Sequence, residues 1–175
     1  MERLRGLFVL ADDDPRWPHG PVAQARAACA GGAQVVQLRA KRATDREALD
    51  LAREIRRITA ATGVLFFVND RFDLALLAEA DGVHLGQEDP SPSDLPEDVR
   101  RRLLVGRSTH TLAQAGSAIH EPCDYVALGP LFGTSSKESA YGARGTALLE
   151  EVASLSAPRP GTSRGTYGEL GSFSR

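Results

Sequence analysis

Short runs of β-branched and aromatic residues alternate with longer stretches of helical periodicity along most of this chain, and this alternation limits the folds that it can adopt. Consecutive strands that are separated by a helix can pair in parallel, because a parallel connection needs roughly a dozen residues or more. The pattern therefore predicts an α/β protein whose parallel sheet is built from βα units.

The pattern contains six βα units. The predicted strands are residues 7–11, 34–39, 64–69, 82–85, 104–106 and 125–128. The predicted helices are residues 21–30, 45–62, 71–80, 93–102, 111–120 and 147–154. Thr44 is a suitable N-cap for the second helix, and Gly63 is a suitable C-cap for it.

A chain of 175 residues is long enough for one domain with a sizeable core. A closed (β/α)₈ barrel needs eight units, whereas an open doubly wound sheet is complete with six. The short, evenly spaced strands favour the barrel, so we predict an incomplete TIM-barrel-type domain over residues 1–156, with about six units. Residues 157–175 are rich in Gly, Ser, Pro and Arg and lack apolar periodicity, which predicts a disordered tail.

The composition argues against several classes of protein. The 21 Lys and Arg residues nearly balance the 23 Asp and Glu residues, so we expect no nucleic-acid partner and no electrostatic membrane anchor. No apolar run approaches the roughly 18 residues of a membrane span. Cys29 and Cys123 lack the spacing of a disulfide or zinc framework, which favours reduced cysteines in a cytoplasmic protein that acts on small molecules. Self-association into a homo-oligomer stays open.

Two carboxylates follow neighbouring predicted strands. Asp70 comes directly after the third strand, and Asp89 comes shortly after the fourth. Parallel strands end at the same edge of a sheet, so both carboxylates can face one crevice. Mg²⁺ is usually held by one or two carboxylates together with substrate phosphate oxygens, so the pair predicts a site for Mg²⁺ and a diphosphate. The alternative is a local role, with Asn69 and Asp70 capping the next helix and Asp89 serving as a turn residue before Pro90.

A polar face is predicted at the end of the second strand. Alternation places Gln37, Arg39 and Lys41 on one face, and Leu38 and Ala40 on the other. If the first face lines the barrel, an amide and two cations meet at the same edge as the carboxylates, and Arg and Lys both suit phosphate oxygens. The alternative is that the basic residues are solvated loop charges.

Two further strand ends carry polar residues. The segment after the sixth strand has a composition that can hold a phosphate, although ordinary turns share it: Thr134, Ser135, Ser136 and Lys137. Ser108 follows the fifth strand, where Thr109 or His110 can instead open the next helix. His84 lies within an apolar strand, where a hydrogen-bonded structural role is more usual than a catalytic one. Because barrel active sites assemble at the C-terminal ends of the strands, these groups together predict an active site there.

Five motifs resemble those of the thiamine phosphate synthase family in order and spacing. They are QLRAK at 37–41, NDR at 69–71, GVHLGQED at 82–89, STH at 108–110 and DYVALGPLFGTSSK at 124–137. The resemblance extends over about residues 5–156, and the run from 69 to 89 is its most specific part.

The resemblance implies a (β/α)₈ transferase that joins a hydroxymethylpyrimidine diphosphate to a thiazole phosphate, giving thiamine phosphate and diphosphate. By this likeness Asp70 and Asp89 hold Mg²⁺, and Ser108 lines the pyrimidine pocket. The residues implied to engage the pyrimidine diphosphate are Gln37, Leu38, Arg39, Ala40, Lys41, Asn69 and Lys137. Those implied to face the thiazole phosphate are Thr134, Ser135 and Ser136.

The family's reaction is dissociative: diphosphate leaves first, and the thiazole nitrogen then captures the pyrimidine carbocation. The resemblance therefore implies catalytic roles for Arg39, Lys41 and Lys137, whose positive charge stabilises the departing diphosphate. This agrees with the residues themselves, which offer cations for a leaving anion.

The chain departs from the family pattern in three respects. Ser135 and Ser136 replace threonines and keep their hydroxyl donors. Ala40 stands where family members usually carry Glu, and counterparts of the seventh and eighth strands are not evident after residue 156. The loops after those strands commonly form the phosphate site of a barrel, so we expect a weaker hold on the thiazole phosphate. Two alternatives to an active synthase follow: an impaired or non-catalytic homologue that binds the Mg-pyrimidine diphosphate, and an enzyme similar to thiazole tautomerase. The intact runs at 69–70 and 87–89 favour the synthase over the tautomerase.

Overall fold

The computed structural model describes residues 4–132, 145–156 and 168–169, and in these ranges strands alternate with helices as the sequence predicts. The strands are β1 (Phe8–Asp12), β2 (Val35–Arg39), β3 (Leu65–Asn69), β4 (Gly82–Leu85), β5 (Leu104–Thr109), β6 (Tyr125–Leu128) and β7 (Gly168–Glu169). The helices are α1 (Pro21–Ala30), α2 (Asp45–Thr62), α3 (Phe72–Leu77), α4 (Glu97–Arg102), α5 (Leu112–Ala118) and α6 (Gly145–Ser156).

The strands form one parallel sheet in chain order from β1 to β7, and this sheet is curled. A flat sheet would hold β1 and β6 roughly 24 Å apart at the usual spacing of about 4.8 Å between strands. Instead, the ring centroids of Phe8 in β1 and Tyr125 in β6 lie 6.1 Å apart. The prediction of a barrel-type fold is therefore confirmed, and β1 to β6 form part of a barrel wall.

Alternation along the strands separates two apolar clusters. The larger cluster lies between the sheet and the helices, and its strand members include Val36, Leu38, Phe66, Val68, Val83, Leu85 and Val105. The smaller cluster lies inside the curl and consists of Val35, Leu65 and Phe67 with Leu4, Phe8, Leu104 and Tyr125 packed against them. Glycines make room for the inner rings, because a Cβ at Gly82 would lie 2.3 Å from the Phe67 ring and one at Gly106 would lie 2.2 Å from the Tyr125 ring.

The inward face of the strands changes from apolar to polar towards their C-terminal ends. The polar positions that continue the inward alternation are Asp12, Gln37, Arg39, Asn69, His84 and Ser108. The end of the barrel at which active sites assemble is thus the end that carries polar side chains.

Element boundaries differ from the prediction in β5 and in the helices α3 to α6, of which α5 is three residues shorter and α6 four residues longer than predicted. The polar residues after Gly106 predict a loop, but β5 continues to Thr109, whose Oγ1 donates to the Ala127 carbonyl oxygen at 3.0 Å. The helices α3 and α4 have six residues each where ten are predicted. In α4 the cause is Pro96, because a proline disfavours helical conformation in the residue before it.

The strand β7 lies inside the segment for which the sequence predicts disorder. Its residues pair with Ala127 and Leu128 of β6. Pairing with the edge of a sheet needs backbone groups and no apolar periodicity, so the hydrophobic pattern could not predict it. The remainder of the predicted tail lies outside the described residues, and the division at residue 156 stays a prediction.

The predicted ends of the second helix are confirmed. Thr44 and Glu47 form a reciprocal capping box at the start of α2, and Gly63 ends this helix with a left-handed φ of 71°. Cys29 and Cys123 are both unpaired. None of the helices within the described ranges is long and apolar enough to cross a membrane.

Candidate active site

The two carboxylates singled out in the sequence meet at the C-terminal ends of β3 and β4. The Asp70 carboxylate pairs with Lys41 Nζ, and the Asp89 carboxylate accepts the Gly86 N–H at 2.6 Å. Burial and, after it, the neighbouring Asp70 raise the pKa of Asp89, whereas the Gly86 N–H and Lys41 act in the opposite direction. The structure thus brings two acidic groups and one cation together at the predicted edge.

The backbone argues against a capping role for the carboxylate that follows β3. Asp70 has a left-handed φ of 63°, a conformation that Asp adopts more readily than most residues but that is still uncommon. The helix α3 begins at Phe72, and its N-cap is Arg71, whose side chain makes no capping hydrogen bond. The alternative of Asn69 and Asp70 as helix caps is therefore wrong. For Asp89 the turn interpretation holds locally, because its carboxylate closes the turn that begins at Gly86.

Two buried donors on β2 face the inside of the barrel without an acceptor. Gln37 is 1% exposed, and its Nε2 makes no hydrogen bond in the described part of the chain. Arg39 Nη1 donates to the Asp12 carboxylate at 2.8 Å, but the buried Arg39 Nε has no partner there. A buried polar group without a partner costs about 1–3 kcal/mol, so both donors are suited to oxygen atoms of a ligand.

The turn after β2, which presents Lys41, is organised by one carboxylate from the end of β1. Asp13 accepts the backbone N–H groups of Lys41, Arg42 and Ala43 at 3.0, 2.8 and 2.8 Å. Our sequence reasoning missed this contact and the pairing of Asp12 with Arg39. The run of three acidic residues at the end of the first strand is the signal that could have found both.

Two residues of the QLRAK segment lie on the opposite face. Leu38 is 1% exposed in the cluster between sheet and helices, and Ala40 packs against the same cluster. Their side chains therefore point away from Gln37 and Arg39, as alternation predicts, and only their backbone groups can face the site. Asn69 is the last residue of β3 and continues the inward alternation of that strand.

Hydrogen bonds connect β4, β5 and β6 around His84. Its Nδ1 lies 2.8 Å from the Tyr125 hydroxyl, and its Nε2 lies 2.7 Å from Ser108 Oγ. The prediction of a hydrogen-bonded histidine is therefore confirmed. Tyr125 was not among the residues that the sequence marked, because a single tyrosine in an apolar strand carries no signal of its partner.

The turn between β4 and α4 is tied to β5 at two successive positions. Arg107 Nη1 donates to the Gly86 carbonyl oxygen, and Gln87 Nε2 donates to the Ser108 carbonyl oxygen, both at 2.5 Å. Since the Gly86 N–H contacts Asp89, the buried Arg107 supports the turn that holds this carboxylate.

The helix α5 does not begin at Thr109 or His110, which was the alternative interpretation of the STH motif. Its N-cap is Thr111, whose Oγ1 accepts the Gln114 N–H at 3.2 Å. Thr109 and His110 therefore do not open the helix. Instead, His110 Nδ1 lies 2.5 Å from the Gly129 carbonyl oxygen. The four residues predicted to hold a phosphate after β6 lie outside the described residues: Thr134, Ser135, Ser136 and Lys137.

The carboxylate pair fits Mg²⁺. Its donors are hard carboxylate oxygens, and a cation would stabilise the charged form of Asp89, whose pKa is raised by burial and by the neighbouring Asp70. The described residues contain no cluster of three or more His, Cys, Asp and Glu side chains that could hold a metal. Mg²⁺ does not need such a cage, because it keeps several waters and takes further oxygens from a substrate phosphate.

Comparison with known proteins places the chain among its relatives. The sequence profile of the thiamine monophosphate synthase family matches residues 7–162. The thiamine-phosphate synthase of Anaeromyxobacter dehalogenans is 47% identical over 163 residues, which cover 89% of this chain and 68% of that protein. The thiamine-phosphate synthase of Methanoculleus marisnigri is 44% identical over 153 residues, which cover 87% of this chain and 72% of that protein.

Solved structures agree with this assignment. The thiamine phosphate pyrophosphorylase of Pyrococcus furiosus superposes with a TM-score of 0.79 at 29% identity, covering 98% of this chain and 76% of that one. A dihydropteroate synthase from Xanthomonas albilineans shares the fold alone, with a TM-score of 0.58 at 18% identity, covering 89% of this chain and 71% of that one. Because the family profile matches most of the chain, this protein belongs to the thiamine monophosphate synthase family.

Proposed function

We propose that this chain is a thiamine-phosphate synthase, a transferase that condenses 4-amino-2-methyl-5-(diphosphooxymethyl)pyrimidine with 4-methyl-5-(2-phosphooxyethyl)thiazole and releases diphosphate. The observation that carries the proposal is the meeting of Asp70, Asp89 and Lys41 at the C-terminal end of the barrel, within the family's motifs. The names of the relatives support the same reaction. A cytoplasmic location and self-association stay predictions.

The proposal assigns the two carboxylates to the cation. Asp70 and Asp89 would hold Mg²⁺, which when bound supplies positive charge beside the phosphate oxygens. Lys41 already contacts Asp70, so its ammonium group lies where a diphosphate bound at the carboxylates would be within reach. Arg39 contributes an unpartnered Nε at the same end of the barrel.

Positive charge at this place accelerates a dissociative reaction. As the bond between the pyrimidine methylene carbon and the diphosphate oxygen breaks, negative charge accumulates on the departing diphosphate. Arg39 and Lys41 interact more strongly with that state than with the intact substrate, which is the condition for a faster chemical step. Lys137 is proposed to act in the same way, from outside the described residues.

The other assignments concern binding and orientation. Gln37, Asn69 and Ser108 are proposed to contact the pyrimidine diphosphate, and the backbone at Leu38 and Ala40 lines the same wall. Three hydroxyl residues are proposed to bind the thiazole phosphate: Thr134, Ser135 and Ser136. Gln37 supports this assignment best, because its buried Nε2 has no partner among the described residues and faces the inside of the barrel.

Diphosphate release by the purified chain tests the proposal. With Mg²⁺ and both substrates, we expect release that depends on the thiazole phosphate, and we expect Lys41→Ala to reduce kcat by roughly a hundredfold. Arg42→Ala is the matched control, since the side chain of Arg42 is exposed on the same turn and only its backbone N–H is held by Asp13. Binding of the pyrimidine diphosphate without any release would instead identify an impaired homologue.

A further inference from the structure

Three polar side chains on β4, β5 and β6 form a continuous hydrogen-bonded chain inside the curl of the sheet. It runs from the Tyr125 hydroxyl to His84 Nδ1 at 2.8 Å, and from His84 Nε2 to Ser108 Oγ at 2.7 Å. The rings of Tyr125 and His84 are stacked with centroids 5.6 Å apart, and Phe67 packs edge-on against Tyr125 at 5.8 Å. Packing therefore holds both rings in place.

Tyr125 is the donor at the inner end of this chain. Burial raises the pKa of its hydroxyl well above the usual range, so the phenol keeps its proton. The hydrogen bond that this hydroxyl makes within the described part of the chain is the one to His84 Nδ1. Because the phenol proton needs an acceptor, His84 Nδ1 accepts it and carries no hydrogen.

The direction of the next hydrogen bond follows from the chemistry of imidazole. A neutral histidine that accepts at Nδ1 carries its hydrogen on Nε2, so His84 donates to Ser108 Oγ. The Ser108 oxygen accepts this hydrogen bond with one of its two lone pairs, and its own hydrogen is left to donate to a further group. No residue in the described ranges accepts that hydrogen.

We propose that Tyr125 and His84 are positioning residues that keep the Ser108 hydroxyl hydrogen turned away from His84, so that this hydroxyl donates to a ring nitrogen of the pyrimidine. The substrate in this statement rests on the proposed function. The direction of hydrogen bonding within the protein does not, and it can be measured without any ligand.

A second histidine provides an internal reference. His110 Nδ1 lies 2.5 Å from the Gly129 carbonyl oxygen, which can only accept, so this nitrogen carries a hydrogen. The Nδ1 atom of His84 therefore carries no hydrogen, whereas the Nδ1 atom of His110 carries one. The chain has four histidines in total, which is few enough for individual assignment.

Nuclear magnetic resonance of the full chain, labelled with ¹⁵N-histidine, distinguishes protonated from unprotonated ring nitrogens. At about pH 8, where an ordinary histidine is neutral, we expect His84 to have an unprotonated Nδ1 and a protonated Nε2. We expect His110 to show a protonated Nδ1 in the same spectrum. A hydrogen on Nδ1 of His84, in either the neutral or the doubly protonated ring, would overturn the proposal.

Two variants test which neighbour sets the tautomer. Tyr125→Phe removes the donor hydroxyl and keeps the ring, so we expect His84 to populate both tautomers. Ser108→Ala removes the acceptor at the other end, and we expect His84 to keep its hydrogen on Nε2. An unchanged spectrum in Tyr125→Phe would show that Tyr125 does not set the direction. If Tyr125→Phe does not fold, the wild-type and Ser108→Ala spectra still decide the tautomer.

Binding measurements test the role of the Ser108 hydroxyl towards the substrate. The probes are the pyrimidine diphosphate and its two pyridine counterparts, in which one ring nitrogen is replaced by C–H, titrated by calorimetry with Mg²⁺. We expect the wild type to bind one pyridine counterpart roughly tenfold more weakly than the pyrimidine diphosphate, as for one lost hydrogen bond. We expect Ser108→Ala to bind that counterpart and the pyrimidine diphosphate with equal affinity. If the wild type and Ser108→Ala discriminate between the two pyridine counterparts by the same factor, the assignment of Ser108 as a donor is overturned. If the wild type binds none of the probes, the proposed function fails, while the spectra still decide the hydrogen-bond direction.

Discussion

Replacement of Asp89 by Asn separates the functional role of this carboxylate from a structural one. Asn is nearly isosteric with Asp and can still accept the Gly86 N–H through its amide oxygen, but it carries no charge beside Asp70. We therefore expect Asp89→Asn to abolish Mg²⁺-dependent diphosphate binding and, in the absence of metal, to increase the free energy of unfolding.

The expected gain in stability follows from the cost of a charged Asp89 in the folded protein, which arises first from burial and then from the neighbouring Asp70. At an effective dielectric constant of about 20, two like charges about 4 Å apart repel by about 4 kcal/mol. Lys41 neutralises part of the Asp70 charge, and the Gly86 N–H stabilises the charged form of Asp89. Partial solvent exposure screens the remainder, so we expect a net gain of about 1 kcal/mol at neutral pH, or about 2–4 °C in Tm.

The gain should depend on pH with a defined sign. The folded-state pKa of Asp89 is raised, so the folded protein binds this proton more tightly than the unfolded chain does. Wild-type stability should therefore fall as pH rises from about 4, the ordinary pKa of Asp, through the raised value. Asn has no proton to lose. The difference between variant and wild type should be present at pH 7.5 and should vanish towards pH 4.

Urea unfolding in a metal chelator at the two pH values measures this difference, and repetition with Mg²⁺ and inorganic diphosphate measures the ligand response. A ligand at a hundred times its Kd stabilises the wild type by about 2.7 kcal/mol, and we expect no such response in the variant. Asp94→Asn is the control, because Asp94 is exposed on the same connection and its carboxylate interacts with the neighbouring Ser91, whose N–H it accepts at 2.9 Å. A loss of stability above 1 kcal/mol in Asp89→Asn at pH 7.5 without metal would contradict the expected relief of charge and would show that Asp89 acts as a turn residue.

Three further substitutions test the surroundings of the site. Gly106→Ala places a Cβ 2.4 Å from the Tyr125 hydroxyl oxygen, so we expect urea unfolding to show a loss of about 1–3 kcal/mol, and a neutral effect would contradict the packing inside the curl. Arg107→Met leaves the Gly86 carbonyl oxygen without its donor, so we expect a loss of about 2 kcal/mol in stability and weaker Mg²⁺ binding in calorimetry. An unchanged Mg²⁺ affinity would contradict the role of Arg107 in supporting the turn that holds Asp89. Asp13→Ala removes the acceptor for three N–H groups of the turn after β2, and we expect kcat/KM for the pyrimidine diphosphate to fall roughly tenfold, with an unchanged value as the contrary result.

The order and type of the main elements could be predicted because local signals agree with the fold. In α2, the capping box at Thr44 and the left-handed Gly63 mark both ends, and the structure begins and ends the helix at the predicted residues. The hydrophobic pattern predicts that β5 ends at Gly106, whereas the strand continues to Thr109. The reason is that Arg107 and Ser108 place polar side chains on both faces of the strand where it reaches the site. Hydrophobic periodicity reports burial in apolar surroundings and gives no signal for a strand end surrounded by polar groups.

Long-range geometry could not be predicted in the same way. The contact between Phe8 and Tyr125, which demonstrates the curl, joins the first and sixth strands and has no local signature. The partners of His84 are 24 and 41 residues away in the sequence, so their hydrogen bonds depend on strand order and register. The pairing of the carboxylates could be anticipated because it requires only that parallel strands end at one edge of the sheet.

Four features at this end of the barrel are each unfavourable for folding on their own. Asp70 adopts a left-handed backbone conformation, the carboxyl group of Asp89 has a raised pKa beside it, and Gln37 and Arg39 each bury a donor without an acceptor. A metal ion alone would relieve the carboxylates and leave the donors unsatisfied, and an anion alone would do the reverse. A magnesium ion bound together with a diphosphate satisfies both sets, since the cation faces the carboxylates and the phosphate oxygens accept from the donors. The raised pKa of Asp89 and the two buried donors therefore support the magnesium ion and diphosphate proposed for this site.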